Sequence, residues 1–167
     1  YVGRLLLSDG LEVLLRPIRP EDEPLEHELL TSVSQETMRA RFFAVIRDIS
    51  HEMLVRYCNI DYDREMAIVA ELKESGRKKL IGIARLICNR ESTSGEFAVL
   101  VHDAFQRKGL GYKLVDVIIG IAEEKGLERI FGEILSDNQK MLAVCAKLGF
   151  TTEGADHETT RVSFALR

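Results

Sequence analysis

The chain has 167 residues, 46% of them hydrophobic and 30% charged, with a net charge of −4. That length suits one domain with a sizeable core, and the apolar content excludes a wholly disordered chain. No apolar run approaches the roughly 20 residues a membrane span needs, and no extended basic run offers a surface to nucleic acid, so neither is expected as a partner.

Residues 4–16 read as a hairpin, because Ser8-Asp9-Gly10 separates two leucine-rich runs. Pro17 and Pro20 punctuate its exit. Asp22 is positioned to cap a helix over residues 23–33, Ser34 one over 35–44 and Ser50 one over 51–58. Strands follow at 66–72, 80–88 and 96–101, with turns at 74–77 and 92–95. The run 80–88 is apolar on both faces, which suits a central strand. From Gly109 the period becomes helical, with Leu110, Leu114, Val117, Ile118 and Ile121 on one face and Gly126 as the C-terminal cap. Next come a strand at 129–135 and a short helix opened by Asp137 or Asn138 and ended by Gly149. A strand from Phe150 and a closing edge or penultimate strand at 162–166 complete the chain. This order predicts an α/β (α+β) domain with one central sheet and helices on both faces.

The three cysteines, Cys58, Cys88 and Cys145, are odd in number and widely spaced. They indicate neither a disulfide framework nor a zinc site, and no metal is expected. Without a secretory signal, the reducing cytoplasm is the expected compartment. The first residue is Tyr1 and not Met, so the single domain 1–167 is expected to be a piece of a longer, multidomain protein.

The strongest local signal is a strand, a turn and a helix over Val99-Leu100-Val101 and Gln106-Arg107-Lys108-Gly109-Leu110-Gly111. A helix N-terminus carries unpaired N–H groups and the positive end of the dipole, so it can hold an anion. Gly109 and Gly111 let the backbone approach a pyrophosphate closely, and Arg107 and Lys108 add positive charge. The segment alone also fits a helix start that uses glycines for close packing. A Rossmann fingerprint needs a third glycine where Leu114 stands, and no Walker A loop occurs.

Gln106-Arg107-Lys108-Gly109-Leu110-Gly111 resembles the Q/R-x-x-G-x-G/A signature of the GNAT acetyltransferases. Asn138, followed by Lys147-Leu148-Gly149-Phe150, resembles that family's second motif. Leu15 to Asp22, Arg41-Phe42-Phe43 and Ile60 to Ala67 are further similar to the acetyltransferase domain of bacterial Pat-type protein lysine acetyltransferases. Those domains are usually attached to an ADP-forming acyl-CoA synthetase-like region. The resemblance implies a GNAT fold with a mixed, mostly antiparallel sheet. It implies acetyl-CoA as co-substrate and a protein lysine as acceptor, on a metabolic enzyme such as an acyl-CoA synthetase.

The same resemblance implies roles for residues. Val99, Leu100 and Val101 would pair with the pantetheine arm, residues from Arg107 to Tyr112 would cradle the pyrophosphate, and Asn138 would bond the pantetheine. Glu96 occupies the position of the general base, with Glu133 as the alternative. An amine attacks a thioester only when neutral, so a carboxylate beside it is the group the chemistry needs. Where many GNAT enzymes carry a tyrosine that protonates the leaving thiolate, this chain has Cys145, which leaves the proton donor open. A small-molecule amine acetyltransferase and a non-catalytic acyl-CoA-sensing domain are the competing readings.

Overall fold

In the computed structural model, which describes residues 3–44 and 46–166, the leucine-rich runs either side of Gly10 pair as β1 (Gly3–Leu6) and β2 (Glu12–Pro17). β3 (Glu65–Glu74) and β4 (Arg77–Cys88) are joined by Ser75 and Gly76, whose left-handed φ values of 52° and 79° match the twist of a two-residue hairpin. β5 (Ser94–Val101), β6 (Arg129–Leu135), β7 (Thr151–Ala155) and β8 (Thr159–Ala165) complete an eight-stranded sheet of order β1-β2-β3-β4-β5-β6-β8-β7. Its strand pairs are antiparallel except β5 with β6. The closing strand is thus penultimate, with the fully exposed β7 on the edge.

Helices α1 (Glu23–Ser32), α2 (Gln35–Phe42) and α3 (His51–Cys58) lie on one face of the sheet. Helices α4 (Leu110–Glu124) and α5 (Gln139–Leu148) lie on the other. The interior strand β3 feeds both layers, as strand alternation requires. Ile68, Ala70 and Leu72 pack with the apolar stripe of α4, while Ala67 and Val69 pack with Leu29 and Leu30 of α1 and Leu54 of α3. Ser34 and Ser50 cap α2 and α3 as their sequence positions suggested, accepting from the N–H of Thr37 and of Met53, both at 3.1 Å. Helix α2 stops two residues earlier than its pattern suggested, because Phe43 turns left-handed at φ 61°. No helix among the described residues is long and apolar enough to cross a membrane.

Asp22 departs from its expected role. Its carboxylate does not cap α1. It takes a two-pronged ion pair from Arg16, with both nitrogen–oxygen distances 2.8 Å, and accepts the Arg19 N–H at 2.8 Å. Arg16 also donates from Nε to Glu71 at 2.9 Å, and all three side chains are buried. A second buried pair joins Arg85 of β4 to Glu26 of α1 at 3.2 Å. Burial works against the charge of Asp22, but the bonds from Arg16 and the Arg19 N–H outweigh it and hold the carboxyl below its usual range. A carboxyl lowered by folding adds stability above its unfolded pKa and loses it as pH falls through the folded value.

The parallel join of β5 to β6 covers only Ser94–Arg129, Gly95–Ile130 and Glu96–Phe131. Past it the strands part. Phe97, buried against Phe150 at a ring separation of 5.2 Å, sits on the backbone of Gly132. A Cβ at Gly132 would lie 2.6 Å from the Phe97 ring.

Two stability measurements follow from this packing. Gly132→Ala should cost about 1–3 kcal/mol by overpacking, read as a lowered urea midpoint, with part recovered when Phe97→Leu is added. Asp22→Asn should cost about 3–5 kcal/mol at pH 7 by leaving Arg16 short of a partner. That gap should narrow as pH falls below about 4.

Candidate functional site

Strand alternation decides what β5 offers to the gap. The His102 N–H donates to the Ile81 carbonyl and the Asn89 N–H to the Ser94 carbonyl, both at 2.9 Å, so even-numbered residues of β5 turn their backbone to β4. Odd-numbered residues turn theirs to β6, as the Thr93 carbonyl does in accepting the Glu128 N–H at 2.7 Å. Beyond Glu96 that partner is gone. Val99 and Val101 therefore present N–H and C=O groups to an open edge in the middle of the sheet. The Val101 carbonyl accepts from Gln106 Nε2 at 2.9 Å, which leaves Val99 open. Leu100, expected to act alongside them, bonds its backbone to β4 and contributes only to the wall.

A cavity of about 480 Å³ runs along this edge. Glu36, Thr37, Arg39 and Ala40 of α2 form one wall, and Asn138 and Met141 at the start of α5 face them. The far end is the turn into α4, where Gln106, Arg107, Gly109, Gly111 and Tyr112 all line the space. Arg107 and Gly109 are left-handed, at φ 64° and 89°, and no side chain caps α4. Lys113 is the first residue of α4 whose N–H reaches back to a helix carbonyl, that of Gly109 at 3.1 Å. The amides of Leu110, Gly111 and Tyr112 precede it and are the unpaired donors of the helix end. A Cβ at Gly111 would come no nearer than 4.0 Å to Met141 or Val101. Protein packing therefore does not demand glycine there, and the space a side chain would take is left to whatever the amides hold. The donor set and the cleared space fit a phosphate group.

The side chains of two members of the expected cradle point elsewhere, which leaves their backbone amides to the turn. Lys108 pairs with Asp9 at the tip of the first hairpin, and its carbonyl accepts the Ser8 N–H at 3.1 Å. Leu110 is buried in the core against Gly82. Asn138 spends its Oδ1 on capping α5 through the Met141 N–H at 3.2 Å, while its side chain still lines the cavity.

A smaller pocket of about 40 Å³ continues through the parting of the strands, between Ala98 and Val99 on one side and Glu133 and Ile134 on the other. Arg41 of α2 lines it, half-buried, with its guanidinium 4.5 Å over the Phe42 ring. Burial holds Arg41 below its ordinary pKa, against the opposing charges of Glu26 and Glu96. Glu96 is exposed and lies on the same sheet face as Ala98, about 6.6 Å along the strand at roughly 3.3 Å per residue. It lines neither pocket and, among the described residues, carries no arginine bond. Glu133 does line the small pocket, but its carboxylate accepts from Arg161 at 2.7 Å.

Cys145 is fully buried, packs in the core under α5, and has its thiol pushed by burial up to about 11. It touches neither pocket, as fits a packing residue. The α2 wall was not legible as part of the site. Its contacts join residues 66 to 98 positions apart, and no local pattern signals them.

The acetyltransferase (GNAT) domain family matches residues 12–151. An acetyltransferase of Pseudomonas aeruginosa is 32% identical over 160 residues, covering 96% of this chain and 86% of the relative. The acetyltransferase Pat of Mycolicibacterium smegmatis is 29% identical over 136 residues, 81% of this chain, and the match spans only 40% of that longer protein. Among solved structures, the GNAT domain of Pat from S. lividans superposes with a TM-score of 0.88 at 26% identity, covering 99% of this chain and 97% of that one.

Gly111→Trp fills the cleared space at the helix end and should abolish coenzyme A binding in a calorimetric titration while leaving the fold intact. Gly111→Ala, with room for its Cβ, should fold equally well and weaken binding less. Undiminished binding by the tryptophan variant would remove the turn from the site.

Proposed function

This chain belongs to the GNAT acetyltransferase family, and from that premise we propose that it transfers the acetyl group of acetyl-CoA to the ε-amine of a protein lysine. One observation carries the donor reading. A single cavity offers an open strand edge at Val99 and uncapped helix amides at Gly111. An amide-bearing arm that ends in a pyrophosphate has complementary groups in that order. Likeness to the GNAT domain of Pat supports a protein lysine as acceptor, with an acyl-CoA synthetase as the protein to test first.

A lysine with a pKa near 10.4 is neutral in only roughly one molecule of 2,500 at pH 7. In this proposal Glu96 takes the ammonium proton, directly or through a water. Its reach along the strand to Ala98 suits a bridging water, and Glu133 is already committed to Arg161. The amine nitrogen bonds to the thioester carbon, and the Val99 N–H holds the developing oxyanion. The C–S bond then breaks, and the thiolate leaves to be protonated by solvent. Asn138 and the edge of β5 hold the arm in register.

The test is lysine acetylation of an acyl-CoA synthetase, followed by mass spectrometry with acetyl-CoA as donor. Glu96→Gln should lower kcat by about 10²–10⁴ at neutral pH, with the loss shrinking as pH rises. Full activity of that variant at every pH would move the base to Glu133. Tight acetyl-CoA binding without any transfer would make the chain a sensing module, and transfer to spermidine but not to protein would make it a small-molecule enzyme.

A further inference from the structure

Helix α2 forms a wall of the cavity, yet little apolar surface holds it there. It has eight residues and buries only Thr37 and Met38. A helix so short is not stable alone. Its N-terminal end is tied instead to the segment between β5 and α4. Asp103 accepts the Ser34 N–H at 2.8 Å on one oxygen, and the hydroxyls of Ser34 and Thr37 at 2.6 and 2.9 Å on the other. Gln106 donates from Nε2 both to the Thr37 hydroxyl at 3.1 Å and to the Val101 carbonyl at 2.9 Å. Each group is used within its capacity, since Thr37 Oγ1 gives its one proton to Asp103 and accepts from Gln106. The result is a continuous chain of bonds from the open edge of β5, through the turn, to the helix that carries Arg39, Ala40 and Arg41. Burial works against the charge of Asp103, but the bonds from Ser34 and Thr37 hold its carboxyl below the usual range, so it stays ionised at neutral pH.

We propose that Asp103 and Gln106 are positioning residues that couple coenzyme binding at the turn to the ordering of α2, and so to the acceptor side of the site. This rests on the donor reading above. Coupling is reciprocal, so whatever steadies α2 also tightens the coenzyme. Thr37 and Gln106 themselves line the cavity, so a ligand that fixes either one fixes the whole chain of bonds.

Coenzyme A titration and hydrogen exchange of residues 35–42 test this together. In the wild type, coenzyme A should slow exchange across α2. Asp103→Ala should raise the Kd for coenzyme A about tenfold, within the usual range for coupled sites, and should remove the slowing in α2. Asp103→Asn keeps an acceptor for Ser34 and should retain most of both. Gln106→Leu should act in the same direction and add little to Asp103→Ala, because both break one network. A lowered Tm for Asp103→Ala with Kd unchanged within about twofold, or undiminished slowing in α2, would reduce the network to a structural tie and overturn the proposal. If wild-type protein fails to bind coenzyme A, the donor reading falls first and this inference falls with it, before any variant is made.

Discussion

The site exists because two neighbouring strands stop pairing. β5 and β6 are the parallel pair in an otherwise antiparallel sheet, and they share hydrogen bonds for only three positions. A glycine marks each side of the boundary. Gly95 lets Leu86 and Leu127 close over the paired end, where a Cβ would meet Leu86 at 2.7 Å. Gly132 gives the Phe97 ring its seat just past the last pair. Pairing ends there, so the backbone of Val99 and Val101 has no protein strand to bond. An open strand edge invites pairing with another chain. Here it lies in mid-sheet between α2 and α5, where an extended ligand can reach it far more easily than another sheet can.

The strand face beside the small pocket rests on charged groups bonded from beneath. Arg85 stands directly across from Ala98 in the β4–β5 register, bonds Glu26 and the Tyr57 carbonyl, and lies 4.5 Å over the Tyr57 ring. Cys58 adds a bond from its thiol to Glu26 at 3.2 Å. Buried ion pairs contribute little net stability against well-packed apolar groups, but removing one partner is costly. Their effect here is to lock α1 and α3 onto β4 in one arrangement. The half-buried Arg41 lines the small pocket, and the exposed Glu96 lies further along β5, over this bonded layer.

Local chemistry explains what was legible in the sequence. The hairpins, the serine caps of α2 and α3, the asparagine cap of α5 and the apolar stripe of α4 each depend on residues within a few positions of one another. The GNAT motifs were legible for the same reason. Asp22 was misread because its partner, Arg16, competes for the carboxylate from an adjoining strand. Lys108 and Leu110 match the motif by spacing, while the side chain of one is drawn to Asp9 and that of the other into the core. The helix α2 was legible from its serine cap, but its place as a wall of the site was not. The bonds that place it reach across 66 to 98 residues.

The short parallel join also bears on how the chain assembles. β3, β4 and β5 follow one another through tight turns, so their pairing closes small loops at low entropic cost. β6 must return alongside β5 only after α4 has been made, and it gains three paired positions for doing so. The sheet thus has two runs of antiparallel strands, β1 to β5 and β6 to β8, joined by a narrow parallel seam. Antiparallel neighbours form early in such a topology and the non-local seam forms late. The turn at Gly109 and the gap at Val99 both belong to that seam. Contact order thus puts completion of the cavity late in folding, and a ligand bound there would fasten the two parts of the sheet together.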